Sequence, residues 1–447
     1  VHPGKETYLA DLATTLGDPP QYSASTKTIE GTIKRWGYKL GLRRILSDAR
    51  WDEVGRIKCN GKATAGIALE GLGYTRAQCS ESIKQLAGHV AALSKSTILG
   101  GAGLWQLGGR AKRTTPGNGD VLRSRAIIFN DGVNAAVSST ISQGVGEVFK
   151  HGHGDIKIGH RAQQGASSDA RQSEDNEIEF EIDHKRFGFR LAEPLLVDAF
   201  GIIRSMLPPG EEWDYRILHE MAHNIIKTII LPGGWVYRAT FGNWSGPWTS
   251  ILDSICNWLA TCSSLDYYKV QPANVDLWIY GDDTLIGFKR GKRPLNLTPP
   301  DVQRILRDKF GIYAGEWSLG NLSSYGNLPG ATFLGCWNRN GMHGRPLSKW
   351  LDVSMLPERR QDTLRQQSKR VKYLTHAAVA TRDNEEYFTS YFTFINDKVP
   401  AVAKLSSDAL RQYLSDLFIQ SHANFSSGGV DWRDWEYGAS TKLCDLM

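Results

Sequence analysis

Between residues 275 and 288 the chain reads VDLWIYGDDTLIGF. Val275 to Tyr280 and Thr284 to Phe288 are short apolar, β-prone runs, and Gly281-Asp282-Asp283 separates them where a hairpin would turn. The pattern predicts two antiparallel strands whose turn presents two adjacent carboxylates. Two acids side by side against apolar strands are costly unless a cation compensates them, and a divalent metal is the natural compensator. Ordinary hairpins also turn on Asp and Gly, so the tetrapeptide needs support from elsewhere in the chain.

Upstream, EIEFEIDHKRFGF begins at Glu177. Its alternation sends Ile178, Phe180 and Ile182 to one face of a strand and Glu177, Glu179, Glu181 and Asp183 to the other. A place beside the hairpin would bring Asp183 to Asp282 and Asp283. Three carboxylates can hold two Mg2+ ions about 3.5–4 Å apart, which activates a hydroxyl nucleophile and stabilises a leaving pyrophosphate. Between these segments lies GNWSGPWTSILDSICNW, Gly242 to Trp258. Ser245-Gly246-Pro247 signals a turn and a helix starting near Trp248. Thr249, Asp253 and Asn257 then form one polar stripe on an otherwise apolar helix, which core packing alone does not explain.

At 447 residues and about 150 residues per domain, the chain has room for about three domains. Hydrophobic residues make up 41% and charged residues 22%, which excludes disordered, collagenous and coiled-coil classes. No run approaches the roughly 18 apolar residues of a membrane span. The start, VHPGKETYLADL, has neither a signal pattern nor an initiator Met, as expected of a trimmed chain or a piece of a longer product. Six cysteines without CxxC spacing favour a reduced, intracellular setting, where the sequons at Asn243, Asn296, Asn321 and Asn424 carry no weight.

The net charge of +6 matters less than its layout. Basic residues cluster at Gly109–Arg125, Lys289–Arg293 and Arg345–Lys372, around an acidic block, Glu174–Asp183, with six carboxylates in ten residues. Basic blocks about an acidic centre suit a polyanion channel around a metal site, although any single run also reads as a solvated face. Periodicity predicts helices near Glu81–Ile98, Leu191–Met206, Asp214–Ile230, Trp248–Leu265 and Pro299–Phe310. Strands are predicted at Ile178–Ile182, Val275–Tyr280, Thr284–Phe288 and Ala331–Trp337, and mostly helix follows Pro346. The fold class is α+β.

A strand ending in Asp183, the Ser245-Gly246 turn leading into a helix with Thr and Asn, Tyr280-Gly281-Asp282-Asp283, then Phe333-Leu334-Gly335 and Leu356-Pro357-Glu358, in this order, resemble the palm motifs of viral RNA-dependent RNA polymerases. They are most similar to enzymes of double-stranded RNA viruses of the partitivirus and picobirnavirus kind. The resemblance covers about Arg110 to Glu358. It implies a right-hand fold: fingers with the N-terminal region over 1–175, a palm with a central antiparallel sheet over 176–345 that carries a fingers insertion at about 190–238, and a helical thumb over 346–447. It implies that Asp183, Asp282 and Asp283 hold two Mg2+ or Mn2+ ions as the catalytic centre. Ser245 and Gly246 would lie by the template and nascent base pair, and Thr249, Asp253 and Asn257 would face the nucleotide. Arg123 and Arg125 would neutralise the triphosphate. Arg110, Lys112 and Arg113 would line the RNA path, with Phe333, Leu334 and Gly335 on the primer strand. The implied partners are RNA template and product, ribonucleoside triphosphates and a capsid protein, with no membrane, inside a virion or in host cytoplasm.

Three positions depart from the family pattern. Gly188 stands where a second acid usually reads the ribose 2′-hydroxyl, and Asp253 is the candidate substitute. Ser245 and Thr249 are one residue closer than in the family. FGIYAGEWSLG, from Phe310, has Trp317 and Ser318 where a proton-donating Lys is expected.

The sharpest rival is His219-Glu220-Met221-Ala222-His223, a literal HExxH that would make a zinc metallopeptidase, although no suitable third ligand follows it. A second candidate metal cluster is His151, His153 and His160 with Asp155. A non-catalytic nucleic-acid binder would suit the 14 Trp but has no use for three converging acids. A reverse transcriptase shares the chemistry but not the Ser-Gly turn with its Thr and Asn stripe, and this chain has at Gly188 no bulky residue to exclude a 2′-hydroxyl.

Overall fold

The computed structural model describes residues 9–13, 19–42, 65–97 except 67, 68, 71 and 76, 103–111, 124–150, 154–160, 168–322 except 170 and 232, 331–339 and 342–344. The helices are α1 (Thr26–Trp36), α2 (Ser80–Leu93), α3 (Gly132–Lys150), α4 (Glu193–Met206), α5 (Glu211–Ile225), α6 (Thr249–Tyr267) and α7 (Pro299–Phe310). The strands are β1 (Gly103–Ala111), β2 (Ser124–Asn130), β3 (Asn176–His184), β4 (Lys227–Ile230), β5 (Val236–Ala239), β6 (Val275–Tyr280), β7 (Asp283–Lys289), β8 (Ala314–Gly320), β9 (Trp337–Arg339) and β10 (Met342–Gly344). No helix among the described residues is long and apolar enough to cross a membrane. The segment expected to form the thumb lies outside the described residues.

Two four-stranded sheets have the orders β2-β1-β4-β5 and β6-β7-β3-β8, and β9 and β10 form a separate pair. The described residues fall into two compact units. The first holds the chain to Gly159 with 182–284 and 293–317; the second holds 160–181, 285–292 and the chain from Ser318.

The first unit is organised by α6, whose side chains are buried continuously from Ile251 to Leu265. A helix buried on every face is a core helix, and its polar side chains must find partners there. It packs against α1, α3, α4, α7 and β6. At its C-terminal end Asp266 accepts a hydrogen bond from Trp36 Nε1 (2.8 Å) and pairs with Arg35 (2.7 Å), which docks α1. Helix α7 starts where the sequence demands: Thr298 caps it reciprocally with Asp301, and Pro299 opens its first turn.

Helix α5 ends earlier than its periodicity predicts. Residues 227–230, Lys-Thr-Ile-Ile, form β4, parallel to β1 (Trp105 opposite Ile229) and antiparallel to β5. A short β-branched run takes the strand form when two partner strands flank it, and tertiary pairing here overrides the helical period.

In the second unit the acidic face of β3 serves as a hydrogen-bond rack. Glu177 accepts from Gly291 N (2.8 Å), and Glu181 accepts from Ser318 Oγ (2.9 Å) and from the amide (2.9 Å) and hydroxyl of Thr332. Fully buried Glu179 accepts from Ser173 Oγ (2.6 Å), Asn176 Nδ2 (3.1 Å) and the Leu322 amide. Donors thus replace water around a buried carboxylate. The strand expected over Ala331–Trp337 is instead a tight turn. Leu334 and Gly335 have φ of 54° and 67°, and Phe333 and Cys336 exchange backbone hydrogen bonds of 2.8 and 3.0 Å. Two successive positive φ values are those of a type I′ turn, whose leading position Leu occupies at a steric cost.

Candidate active site

The Tyr280–Asp283 turn is held by α6 through both backbone polar groups of one residue. Gly281 N donates to Ser254 Oγ (2.8 Å), and Gly281 O accepts from Asn257 Nδ2 (2.8 Å). Gly281 has φ of 60°, a conformation glycine takes without strain. Asn257 also bonds Thr284 Oγ1 (2.8 Å) at the start of β7, and His184 Nε2 lies 3.3 Å from the same hydroxyl. Burial lowers the His184 pKa to about 4, so its ring is neutral and serves as a hydrogen-bonding spacer. This clamp presents Asp282 exposed and Asp283 half-buried at the turn.

Asp183, near the end of β3, is exposed as well. Gly315 of β8 leaves room for it: a Cβ there would stand 2.6 Å from Asp183 Oδ2. Strands β7 and β3 are neighbours in the sheet, so Asp183 and Asp283 belong to adjacent strands. Among the described residues no three His, Cys, Asp or Glu side chains already stand together as metal ligands. The three acids are an all-oxygen set on supported backbone, a donor set that fits a hard divalent cation.

Asp253 is buried one turn of α6 from Asn257. Its Oδ1 accepts from Asn243 Nδ2 (2.8 Å). Burial, reinforced by the charge of Asp282, raises its pKa well above the ordinary carboxyl value. Gly188 lies against it: a Cβ on Gly188 would stand 2.8 Å from Asn243 O and 3.2 Å from Asp253 Oδ2. The Asn243 amide donates to Gly188 O (2.6 Å), which fastens the two segments. The departure at Gly188 and the acid on the polar stripe are thus one local arrangement.

The remaining stripe residues are engaged with protein. Thr249 Oγ1 accepts from Gly246 N (2.7 Å) and bonds the carbonyls of Trp244 and Gly246, closing the Ser245–Gly246 turn. Ser245 is exposed, and its amide donates to Ile128 O of β2 (2.9 Å). Arg110 and Arg125 are cross-strand partners on β1 and β2; Lys112, Arg113 and Arg123 lie outside the described residues. Trp317 is exposed on β8, and Ser318 Oγ donates to Glu181. Sequence reasoning missed Ser254, Thr284, His184, Asn243 and Gly315, whose roles depend on pairings far apart in the chain.

Among the described residues neither rival motif gathers a set of metal ligands. Glu220 is buried, and its carboxylate pairs with buried Arg216 and accepts from Ser138 Oγ (2.6 Å), Trp248 Nε1 (2.8 Å) and Asn224 Nδ2 (3.2 Å). Burial would raise its pKa, but Arg216 and these donors hold it below the ordinary value. His219 is buried, with its ring 4.0 Å from that of His223, and burial lowers its pKa to about 4. Asp155 faces Trp258 Nε1 (3.1 Å) and Lys39 (3.8 Å), whereas His160 pairs with Asp169 (2.9 Å). His151 and His153 lie outside the described residues.

Comparison with known proteins adds a family. Residues 183–344 match the family described as viral RNA-dependent RNA polymerase. The RNA-dependent RNA polymerase of a human picobirnavirus superposes with a TM-score of 0.61 at 12% identity, over 88% of this chain and 73% of that one. The Sicinivirus 3Dpol RNA-dependent RNA polymerase superposes with a TM-score of 0.65 at 10% identity, over 98% and 89%. No curated protein sequence matches the chain. The fold is the right-hand polymerase fold, and residues 183–344 within it match the family of viral RNA-dependent RNA polymerases.

Proposed function

We propose that this polymerase replicates and transcribes the genome of a double-stranded RNA virus by two-metal nucleotidyl transfer. The observation that carries this reading is the α6 clamp on Gly281, which fixes the turn that carries Asp282 and Asp283, with Asp183 on the strand next to β7. Asp183, Asp282 and Asp283 would hold two Mg2+ or Mn2+ ions. When bound, such ions activate the attacking 3′-hydroxyl and neutralise the departing pyrophosphate.

The protein's own part is positioning and charge placement. Asp253, with Asn243 on one oxygen and Gly188 packed beside the other, reads the ribose 2′-hydroxyl. Thr249 and Asn257 act at the nucleotide by shaping the turns on either side of it. Ser245 and Gly246 lie by the template and nascent pair. Arg123 and Arg125 neutralise the triphosphate, and Arg110, Lys112 and Arg113 line the RNA path. Arg110 and Arg125 are register partners on β1 and β2. Phe333, Leu334 and Gly335 support the primer strand. In this reading residues 1–175 are the N-terminal region and fingers, 176–345 the palm and 346–447 the thumb, and the enzyme works with a capsid protein inside a virion or in host cytoplasm.

The test is ribonucleotide incorporation on single-stranded RNA with Mg2+ or Mn2+. Asp282→Ala combined with Asp283→Ala should lower it by about a thousandfold or more; equal activity sinks the assignment. Asp253→Ala should narrow the preference for ribonucleotides over deoxyribonucleotides, and an unchanged preference removes Asp253 from sugar selection.

A further inference from the structure

Lys227, the first residue of β4, is completely buried. Its Nζ donates to Ile225 O (3.1 Å), Phe241 O (3.3 Å) and Gly242 O (2.6 Å). Three carbonyls match the three N–H bonds of an ammonium. The same nitrogen lies 4.7 Å from the Trp244 ring centroid and 5.9 Å from that of Trp105, within cation–π range. Trp105 and Trp244 meet edge to face at 6.3 Å, and Trp105 is the side chain nearest Gly246. The cation therefore sits beneath the segment 241–246 and touches it at two carbonyls and one indole. Nothing in the polymerase chemistry uses a lysine here.

We propose that Lys227 is the positioning residue of the Ser245–Gly246 turn, a latch that opens only when Nζ passes to water. As to its importance for synthesis, this rests on the reading of that turn as the contact for the template and nascent pair. The latch is coupled to protons. Burial lowers the Lys227 pKa to about 7, and Glu193 at the start of α4 opposes the shift. From β1 and residues 241–244 it meets indoles and carbonyls, and from the end of α5 the Ile225 carbonyl. His223, two residues before that end, turns its ring to His219 O (3.0 Å) and its carbonyl to Trp105 Nε1 (3.3 Å).

A lysine in water titrates near 10.4. Between about pH 7 and that value the closed turn favours the neutral amine, which keeps two N–H donors among the three carbonyls, whereas an open turn exposes an ammonium, so opening takes up one proton. Opening should therefore become about tenfold rarer for each pH unit gained above 7 and should level off below it.

The experiment is amide hydrogen exchange of the full chain from pH 6 to 9, corrected for intrinsic rates. The Asn243 and Ser245 amides, bonded to Gly188 O and Ile128 O, report the turn, and amides 255–262 of α6 serve as the control. Wild type should show the tenfold slope at 243 and 245 and not in α6, and Lys227→Met should abolish it. A flat wild-type profile, or the same slope in Lys227→Met, overturns the proposal. Wild type alone decides if the variant does not fold. In the incorporation assay Lys227→Met should raise KM for template RNA about tenfold while kcat stays within about threefold; parallel losses in both would reduce Lys227 to a structural residue. A proton-linked turn in a protein that incorporates no nucleotide would instead leave the latch standing and remove the polymerase reading of the turn.

Discussion

Two segments of this chain carry motifs of metal chemistry, and they differ in what surrounds their acids. In His219–His223 the carboxylate of Glu220 is enclosed by Arg216, Ser138, Trp248 and Asn224, so the motif is a junction between α3, α5 and the start of α6. In Tyr280–Asp283 hydrogen bonds from α6 hold the backbone of Gly281, Asp282 beside it is exposed and Asp283 is half-buried. One site spends its acid on the fold, while the other spends neighbouring residues to keep its acids available. Spacing along a sequence does not make a metal site; access does.

The comparison is easiest to break at Glu220. Glu220→Ala leaves the Arg216 guanidinium buried without its acid, and denaturant unfolding should register a loss of about 3–5 kcal/mol. A loss below about 1 kcal/mol would mean that the enclosure is not structural.

A smaller effect is expected at Asp155, a third acid and the buried one nearest to a pH switch. Burial raises its pKa to about 6, against the opposing pull of Lys39 and Trp258. A carboxyl with a raised folded pKa stabilises fully below its unfolded value near 3.9, and that contribution is lost as pH rises through about 6. Wild-type stability should fall across that window relative to Asp155→Asn, by about 2–3 kcal/mol, when the two are unfolded in parallel at pH 4 and pH 8. Parallel curves would show that Asp155 is hydrated like the acids at the hairpin.

The smallest effect concerns the Phe333–Cys336 turn, where Leu334 holds a φ of 54°. Leu334→Asn puts a residue that tolerates this conformation in its place and should add about 0.5 kcal/mol. A loss would show that the Leu side chain contributes more by packing than its backbone costs.

Much of this site is legible in sequence because its parts are local. Alternation exposes Asp183, Gly281 marks the turn, and Ser245-Gly246-Pro247 marks the start of α6 within one residue. The supports are not legible, because they join residues distant in sequence: Asn257 to Gly281, Asn243 to Asp253, Glu181 to Thr332. The six acids of Glu174–Asp183 read as one electrostatic block, yet Glu177, Glu179 and Glu181 anchor surrounding chain, whereas Asp183 is exposed at the end of β3. Residues 227–230 continue a helical period and become a strand because β1 and β5 supply partners. Gly188 reads as a missing acid until Asp253 and Asn243 are seen against it.

The most direct measurement compares one residue from each motif in the same assay, RNA-templated ribonucleotide incorporation with Mg2+ or Mn2+. Asp183→Asn should reduce the rate about a thousandfold or more, while His223→Ala, which alters a half-buried ring beside an enclosed Glu220, should stay within about threefold of wild type. If incorporation survived in Asp183→Asn and collapsed in His223→Ala, the catalytic metal would belong to the other motif, and the account would be wrong.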